Sequence, residues 1–127
     1  MFGEPTNEVK VRYEALRNGV ELAHEIIRPG LKASQLFERV MDAVRRSGMP
    51  HYKRSHVGHG IGIDGYDLPS LSPDSDAVLE PGMVICVETP YYEFGFGGLQ
   101  VEDMIHVTAT GSESLMSHGS ELRIVAP

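Results

Sequence analysis

The sequence has no tryptophan and a single cysteine, Cys86, among its 127 residues. One cysteine excludes an internal disulfide framework and is typical of a reducing compartment, so we expect a cytoplasmic protein. No apolar run is long enough to span a bilayer, and the opening residues MFGEPTNEVK lack the basic-then-apolar pattern of a signal peptide. We therefore expect no membrane partner.

Basic residues are also scarce, with 11 lysines and arginines against 18 aspartates and glutamates, for a net charge of −7. A chain with this balance and no long basic run is a poor partner for a nucleic-acid backbone. Hydrophobic residues make up 41% of the sequence, which is typical of a globular protein with a real core. The length predicts a single domain over residues 1–127.

Two amphipathic helices are predicted in the first half of the chain. The first is capped by Thr6 or Asn7, repeats apolar residues at helical spacing, and ends before Pro29. The second is expected to begin at a Ser34 cap and to stop at Gly48, which suits a left-handed helix end. The rest of the chain predicts several mostly antiparallel strands. This order indicates an α+β fold with the helices on one face of a sheet.

Residues 83–107 read as two apolar runs around a glycine-rich turn, the pattern of a β-hairpin. Strand side chains alternate between faces, so the odd-numbered residues form an apolar face toward the core. Glu88 and Glu102 fall on the even face, and they lie directly opposite each other if the turn centres near Gly95. Facing like charges destabilise a ladder. They project into water, or a cation, a shared proton or a metal compensates them.

His59 is bracketed by Gly58, Gly60 and Gly62. Such alternation fits a strand whose backbone approaches another group, or an irregular loop, or a need for room around the imidazole. The glycines fit neither the dinucleotide fingerprint nor the phosphate-binding loop, which disfavours a phosphate site. A lone histidine is usually structural, but a neutral imidazole with two carboxylates is also a common metal-ligand set. With Glu88 and Glu102 downstream, we favour a metal ligand.

Several ordered motifs resemble those of a known family: IRPG, GHGIG with a proline ten residues after His59, LEPGMV, VETP, GGLQVEDM and VTATGSE. They resemble the catalytic domain of the pita-bread metallopeptidases, which include methionine aminopeptidase, Xaa-Pro dipeptidase, aminopeptidase P and the metal-free creatinase. The dipeptidase and aminopeptidase P branch looks nearest. The resemblance implies a partial pita-bread fold, with two long helices packed on one face of a curved, mostly antiparallel sheet.

The resemblance also implies a centre with two divalent ions, typically Mn, Co, Zn or Fe, which hydrolyses a peptide bond near the N-terminus of short peptides. The family binds these ions with two aspartates, one histidine and two glutamates. His59, Glu88 and Glu102 match the last three, and Glu102 would bridge both ions. Ions about 3.5–4 Å apart lower the pKa of a bridging water and polarise the scissile carbonyl. Glu88 would also shuttle the proton.

The sequence departs from the family pattern at several positions. No aspartate pair precedes the first helix, where the family places its first two ligands. We therefore expect an incomplete metal site, a chain that is the C-terminal part of a longer catalytic domain, and little or no activity on its own. Tyr66 stands where the family usually has a substrate-side histidine, and His56 is an alternative for that role. Thr89 stands where a proline commonly follows the glutamate.

Three hypotheses about function remain open. The first is a metallopeptidase of the dipeptidase branch, with Glu88, His56 and Tyr66 as catalytic candidates. The second is a catalytically silent binding or assembly module on the same fold. The third is a non-peptidase hydrolase of a small C–N substrate, as creatinase is. A sheet that lacks the family's preceding hairpin would expose an edge or face, so we also expect a homo-oligomer.

Overall fold

Two helices precede seven strands in the part of the chain that the computed structural model describes, which is Met1 and residues 3–126. Phe2 and Pro127 of the predicted domain lie outside it. Helix α1 is Asn7–Ile26 and helix α2 is Ala33–Arg46. The strands are β1 (Gly58–Gly60), β2 (Asp67–Ser70), β3 (Val84–Glu88), β4 (Tyr91–Glu93), β5 (Gly97–Leu99), β6 (Glu102–Val107) and β7 (Ser112–Ser114). In these residues neither helix combines the length and the apolar character that crossing a membrane requires.

Five of the strands form one sheet in the order β2-β1-β3-β6-β7, and every pair in it is antiparallel. Strands β4 and β5 form a separate two-stranded sheet between β3 and β6 in the chain. The predicted hairpin is thus confirmed at its base, where β3 pairs with β6. The segment that connects β3 to β6 is longer than a turn. It contains the small antiparallel β4–β5 ladder, which was not predicted.

Helix α1 begins as predicted, because the Thr6 side chain accepts a hydrogen bond from the backbone of Val9 at 3.3 Å. The Ser34 cap is wrong: the cap position lies two residues earlier, at Lys32, and has no side-chain cap bond. Backbone pairing fixes this start instead, since the amide of Ala33 donates to the carbonyl of Ala77 at 2.9 Å. The end of α2 agrees with the prediction, and Gly48 has a φ of 123°.

The core lies between the helices and one face of the large sheet. The predicted odd-numbered face is confirmed, and its fully or nearly buried members are Ile85, Val87, Val101, Ile105 and Val107. Against it pack the apolar stripes of α1 and α2, among them Leu16, Val20, Leu36, Val40 and Val44. The even-numbered face is therefore turned away from the helices and carries the polar groups described next.

Gly19 allows α1 to approach its neighbours closely. A Cβ at this position would lie 2.6 Å from Cγ2 of Val44 on α2 and 3.1 Å from Cγ2 of Thr89, just after β3. The sequence suggests only a mild helix-destabilising residue here. In the fold, the missing side chain lets one helix contact both the second helix and the sheet.

Candidate metal centre

Glu88 and Glu102 lie directly opposite each other at the end of the β3–β6 ladder, as the alternation predicted. Neutral groups contact both carboxylates. The Gln100 amide donates to Oε2 of Glu102 and to Oε2 of Glu88, the latter at 3.4 Å. The Cys86 thiol donates to Oε1 of Glu102 at 3.0 Å. The two acids are thus held by hydrogen-bond donors that the sequence analysis missed, although alternation places Gln100 and Cys86 on the same face.

Cys86 is nearly fully buried. Burial, followed by the hydrogen bond and charge of Glu102, raises the pKa of its thiol well above the ordinary range. The thiol therefore stays protonated at neutral pH and acts as a weak neutral donor. It does not supply a thiolate ligand to this face.

His59 lies on the same face, because it pairs with Cys86 across β1 and β3. The ring is 9% exposed, and Nδ1 is 2.9 Å from the carbonyl oxygen of Gly60. A carbonyl can only accept, so Nδ1 carries the proton. In the neutral tautomer that this contact selects, Nε2 is the nitrogen with the lone pair, which is the form that binds metals.

Gly58 and Gly60 permit close strand contact rather than leaving room around the imidazole. A Cβ at Gly58 would lie 1.9 Å from the carbonyl oxygen of Cys86, and one at Gly60 would lie 2.2 Å from that of Leu68. These contacts are with β3 on one side and β2 on the other. Of the alternatives open from sequence, the strand with a closely approaching backbone is the one observed.

His56 and Tyr66 form an aromatic wall beside His59. The Tyr66 ring stacks on His59 with centroids 4.0 Å apart, and His56 meets Tyr66 edge-on at 5.9 Å. Nδ1 of His56 is 3.5 Å from Oε1 of Glu88. The structure therefore places all three catalytic candidates, Glu88, His56 and Tyr66, at one side of the polar face.

Thr89, the departure next to Glu88, has a defined structural role. It is fully buried, its hydroxyl donates to the carbonyl of Leu16 on α1 at 2.9 Å, and its amide donates to the carbonyl of Val101 at 2.9 Å. A proline at this position has no N–H to donate. Thr89 therefore ties the end of β3 to both α1 and the segment before β6, immediately beside the acidic pair.

The donor set suits a divalent cation in its chemistry, but the side chains do not converge as a finished site. An imidazole with a free Nε2 and two opposed carboxylates are ligands that Mn, Co, Zn and Fe accept. Among Met1 and residues 3–126, however, no three or more His, Cys, Asp or Glu side chains are grouped so that they could hold a metal ion. Holding a cation here requires side-chain movement, additional ligands, or both.

Asp103 is excluded as one of those additional ligands by its position on the other side of the sheet. Its carboxylate accepts from Ser114 at 2.9 Å and lies 2.8 Å from Nε2 of His24 on α1. It therefore links α1 to β6 and β7 and does not reach the face that carries Glu102.

Tyr52 anchors the chain just beyond Glu88, since its buried hydroxyl donates to the carbonyl of Pro90 at 3.2 Å. Burial raises the pKa of this phenol well above its ordinary value. Below about pH 10 both the folded and unfolded states keep the proton, and the hydrogen bond is worth about 1 kcal/mol. Above it, only the unfolded chain loses the proton, so the folded state loses about 1.4 kcal/mol per pH unit from this residue.

We therefore expect Tyr52→Phe to be less stable than wild type at neutral pH and to lose this disadvantage in alkali. Urea unfolding at about pH 8 and about pH 11 measures the difference in the free energy of unfolding between the two proteins. The other tyrosines are present in both proteins, so their contribution cancels. An unfolding free-energy difference that does not change between these values would contradict the buried, protonated phenol.

The sequence is similar to that of known peptidases. Residues 1–109 match the profile of metallopeptidase family M24. The chain is 32% identical over 124 residues to an Xaa-Pro dipeptidase of Lactobacillus delbrueckii subsp. lactis, covering 98% of this chain and 34% of that protein. It is 34% identical to the probable dipeptidase PepE of Mycobacterium tuberculosis (strain ATCC 25618 / H37Rv), covering 98% and 33%.

Among solved structures, the chain superposes on dipeptidase PepE from Mycobacterium ulcerans with a TM-score of 0.92 and 29% identity, covering 99% of this chain and 34% of that one. The predicted partial pita-bread fold, two helices on one face of a mostly antiparallel sheet, is confirmed by this agreement. The chain spans about a third of the length of the curated relatives it matches.

Proposed function

Because the chain belongs to metallopeptidase family M24, we propose that it supplies part of a divalent-metal centre that hydrolyses a peptide bond near the N-terminus of short peptides, as in an Xaa-Pro dipeptidase. The opposed pair of Glu88 and Glu102 on the face that also carries His59 is the observation that supports this most directly. Like charges directly opposite each other destabilise a ladder, and a cation bound between them would offset that repulsion.

The proposed ligands are Nε2 of His59 and the carboxylates of Glu88 and Glu102. The fixed tautomer of His59 supports its part, because Nδ1 is already engaged by the backbone. Mn, Co, Zn and Fe all accept this mixed nitrogen and oxygen set. Further ligands would complete the coordination, since these three do not form a finished site in the described residues.

When bound, paired ions would lower the pKa of a bound water and polarise the scissile carbonyl. Proton transfer is assigned to this chain's own residues. Oε1 of Glu88, beside Nδ1 of His56, accepts the proton from the attacking water and returns it to the leaving amine. The Tyr66 hydroxyl, half exposed above His59, donates a hydrogen bond to the substrate.

The unfinished site favours one competing function, a catalytically silent binding or assembly module. Calorimetric titration with Mn²⁺ separates the two readings. Saturable binding with a Kd below about 1 mM, together with Xaa-Pro dipeptide hydrolysis that a chelator abolishes and Mn²⁺ restores, supports the peptidase centre. No binding up to that concentration contradicts it and favours the silent module. Because the three proposed ligands do not form a finished site in the described residues, we expect weak but saturable binding and slow hydrolysis.

Self-association is part of the same proposal and stays a prediction, as does a cytoplasmic location. Large apolar side chains supply a reason for association, since Ile63, Leu68 and Phe94 are each at least 86% exposed. The mass of the protein in solution over a range of concentrations decides it.

A further inference from the structure

The side-chain amide of Gln100 lies between the two acids and contacts both. Its Nε2 donates to Oε2 of Glu102 and is 3.4 Å from Oε2 of Glu88. One neutral group thus connects two carboxylates that face each other across β3 and β6. Hydrogen bonds to ionised acceptors are about twice as strong as bonds between neutral groups. The amide therefore offsets part of the repulsion between the acids.

The orientation of this amide is set by a second residue, Tyr92. Its hydroxyl donates to Oε1 of Gln100 at 3.3 Å. The amide oxygen can only accept, so this bond directs Nε2 toward the carboxylates. Tyr92 lies in β4 and Gln100 directly follows β5. The two-stranded sheet therefore positions both residues of the hydrogen-bond series that runs from Tyr92 through Gln100 to the acids.

The amide engages one oxygen of each acid and leaves the other oxygen to a different neighbour. Oε2 of Glu88 and Oε2 of Glu102 face Gln100. Oε1 of Glu102 faces the Cys86 thiol, and Oε1 of Glu88 faces His56. The amide holds each carboxylate by one oxygen. In the part of the chain that the structure describes, the other oxygen of Glu102 is contacted by a weak thiol donor, and that of Glu88 lies 3.5 Å from an imidazole nitrogen.

We propose that Gln100 is a positioning residue that bridges Glu88 and Glu102 through one oxygen each, and that Tyr92 orients it for this task. The proposal rests on the proposed function for its consequence, which is a higher affinity of the pair for a divalent cation. The hydrogen bonds of the bridge join protein groups only. The bridge can therefore be tested separately from metal binding.

The first experiment follows the side-chain amide resonances of Gln100 by heteronuclear NMR in the metal-free chain. Glu102→Gln removes the charged acceptor and Tyr92→Phe removes the orienting hydroxyl, so both should shift these resonances. Tyr91→Phe is the matched control: it removes a phenol from the same strand, and that phenol contacts Arg12 and Glu93 instead. Resonances that move in neither Glu102→Gln nor Tyr92→Phe would overturn the bridge, whether or not metal binds.

The second experiment measures Mn²⁺ affinity by calorimetry and the visible spectrum of the Co²⁺-loaded chain. Gln100→Met keeps the length of the side chain but cannot donate, and we expect it to weaken Mn²⁺ binding about 10- to 100-fold, as for other residues that orient metal ligands. Tyr92→Phe should weaken it less, and Tyr91→Phe should leave it unchanged. Gln100→Met and Tyr92→Phe should also alter the Co²⁺ spectrum, and a general loss of stability would not do so.

The outcomes distinguish the two proposals. If the wild-type chain binds Mn²⁺ and Gln100→Met binds it equally well with the same Co²⁺ spectrum, the positioning role is wrong while the metal centre stands. If the wild-type chain binds no divalent ion but the amide resonances respond as described, the metal centre is wrong while the bridge stands.

Discussion

Gly58→Ala is expected to destabilise the folded protein by about 3–5 kcal/mol, the sum of backbone strain and an unrelieved overlap. Gly58 has a φ of 146°, which L side chains rarely adopt. An added Cβ would lie 1.9 Å from the carbonyl oxygen of Cys86 and 2.9 Å from Cδ1 of Leu71. The first of these atoms belongs to the backbone of a central strand and cannot move without opening the β1–β3 ladder.

A loss of that size is a large fraction of the stability of an ordinary domain, about 5–15 kcal/mol. Urea unfolding measures it, with a lower midpoint and an unchanged slope if the folded and unfolded states keep their compactness. Gly65→Ala is the matched control, because a Cβ there meets nothing within 4 Å and the residue has no positive φ. It should change stability by no more than about 0.5 kcal/mol. Equal losses in both variants would show that close strand contact does not explain Gly58.

Glu102→Gln is expected to weaken Mn²⁺ binding more than about 100-fold, beyond the effect of losing an orienting neighbour. The substitution keeps the shape of the side chain and an oxygen that can still accept from the Cys86 thiol. It removes the negative charge that a divalent ion requires, and any metal-dependent peptidase rate should fall with it. Calorimetry on the chain and a dipeptide assay measure the two losses.

Glu113→Gln provides the control for this prediction. Glu113 is also a carboxylate of the same sheet, and its Oε1 lies 2.8 Å from Nδ1 of His106, its partner across β6 and β7. Removing its charge lowers the net negative charge by the same amount. Affinity that drops equally in both variants would indicate general electrostatic attraction rather than a ligand at Glu102.

The sequence was sufficient for the features that depend on periodicity. Alternation along residues 83–107 predicted which face is buried and that Glu88 would oppose Glu102, because a register slip of one residue would have exposed the whole apolar set. Helical spacing and the Thr6 cap predicted α1 for the same reason. These are local rules, and the tertiary fold agrees with them.

Contacts between distant segments could not be predicted in this way. The Ser34 cap failed because the amide of Ala33 donates to the carbonyl of Ala77, which lies far away along the chain. Gly19 looked like a tolerated helix residue, yet its space is taken by Val44 and Thr89. Alternation puts Gln100 on the same face as the acids, but its bond to both of them depends on side-chain conformation, which alternation does not specify.

The small β4–β5 sheet separates the two acids along the chain, but the backbone positions that place them opposite each other belong to the large sheet. Their opposition is set by the ladder from Val84↔His106 to Glu88↔Glu102 and by the bond from Thr89 to Val101. Between β4 and β5, the tip at residues 94–96 carries the fully exposed Phe94 and a glycine open to solvent. Substitutions at this tip should therefore leave the spacing of Glu88 and Glu102 unchanged, because the ladder that holds the two acids lies outside it.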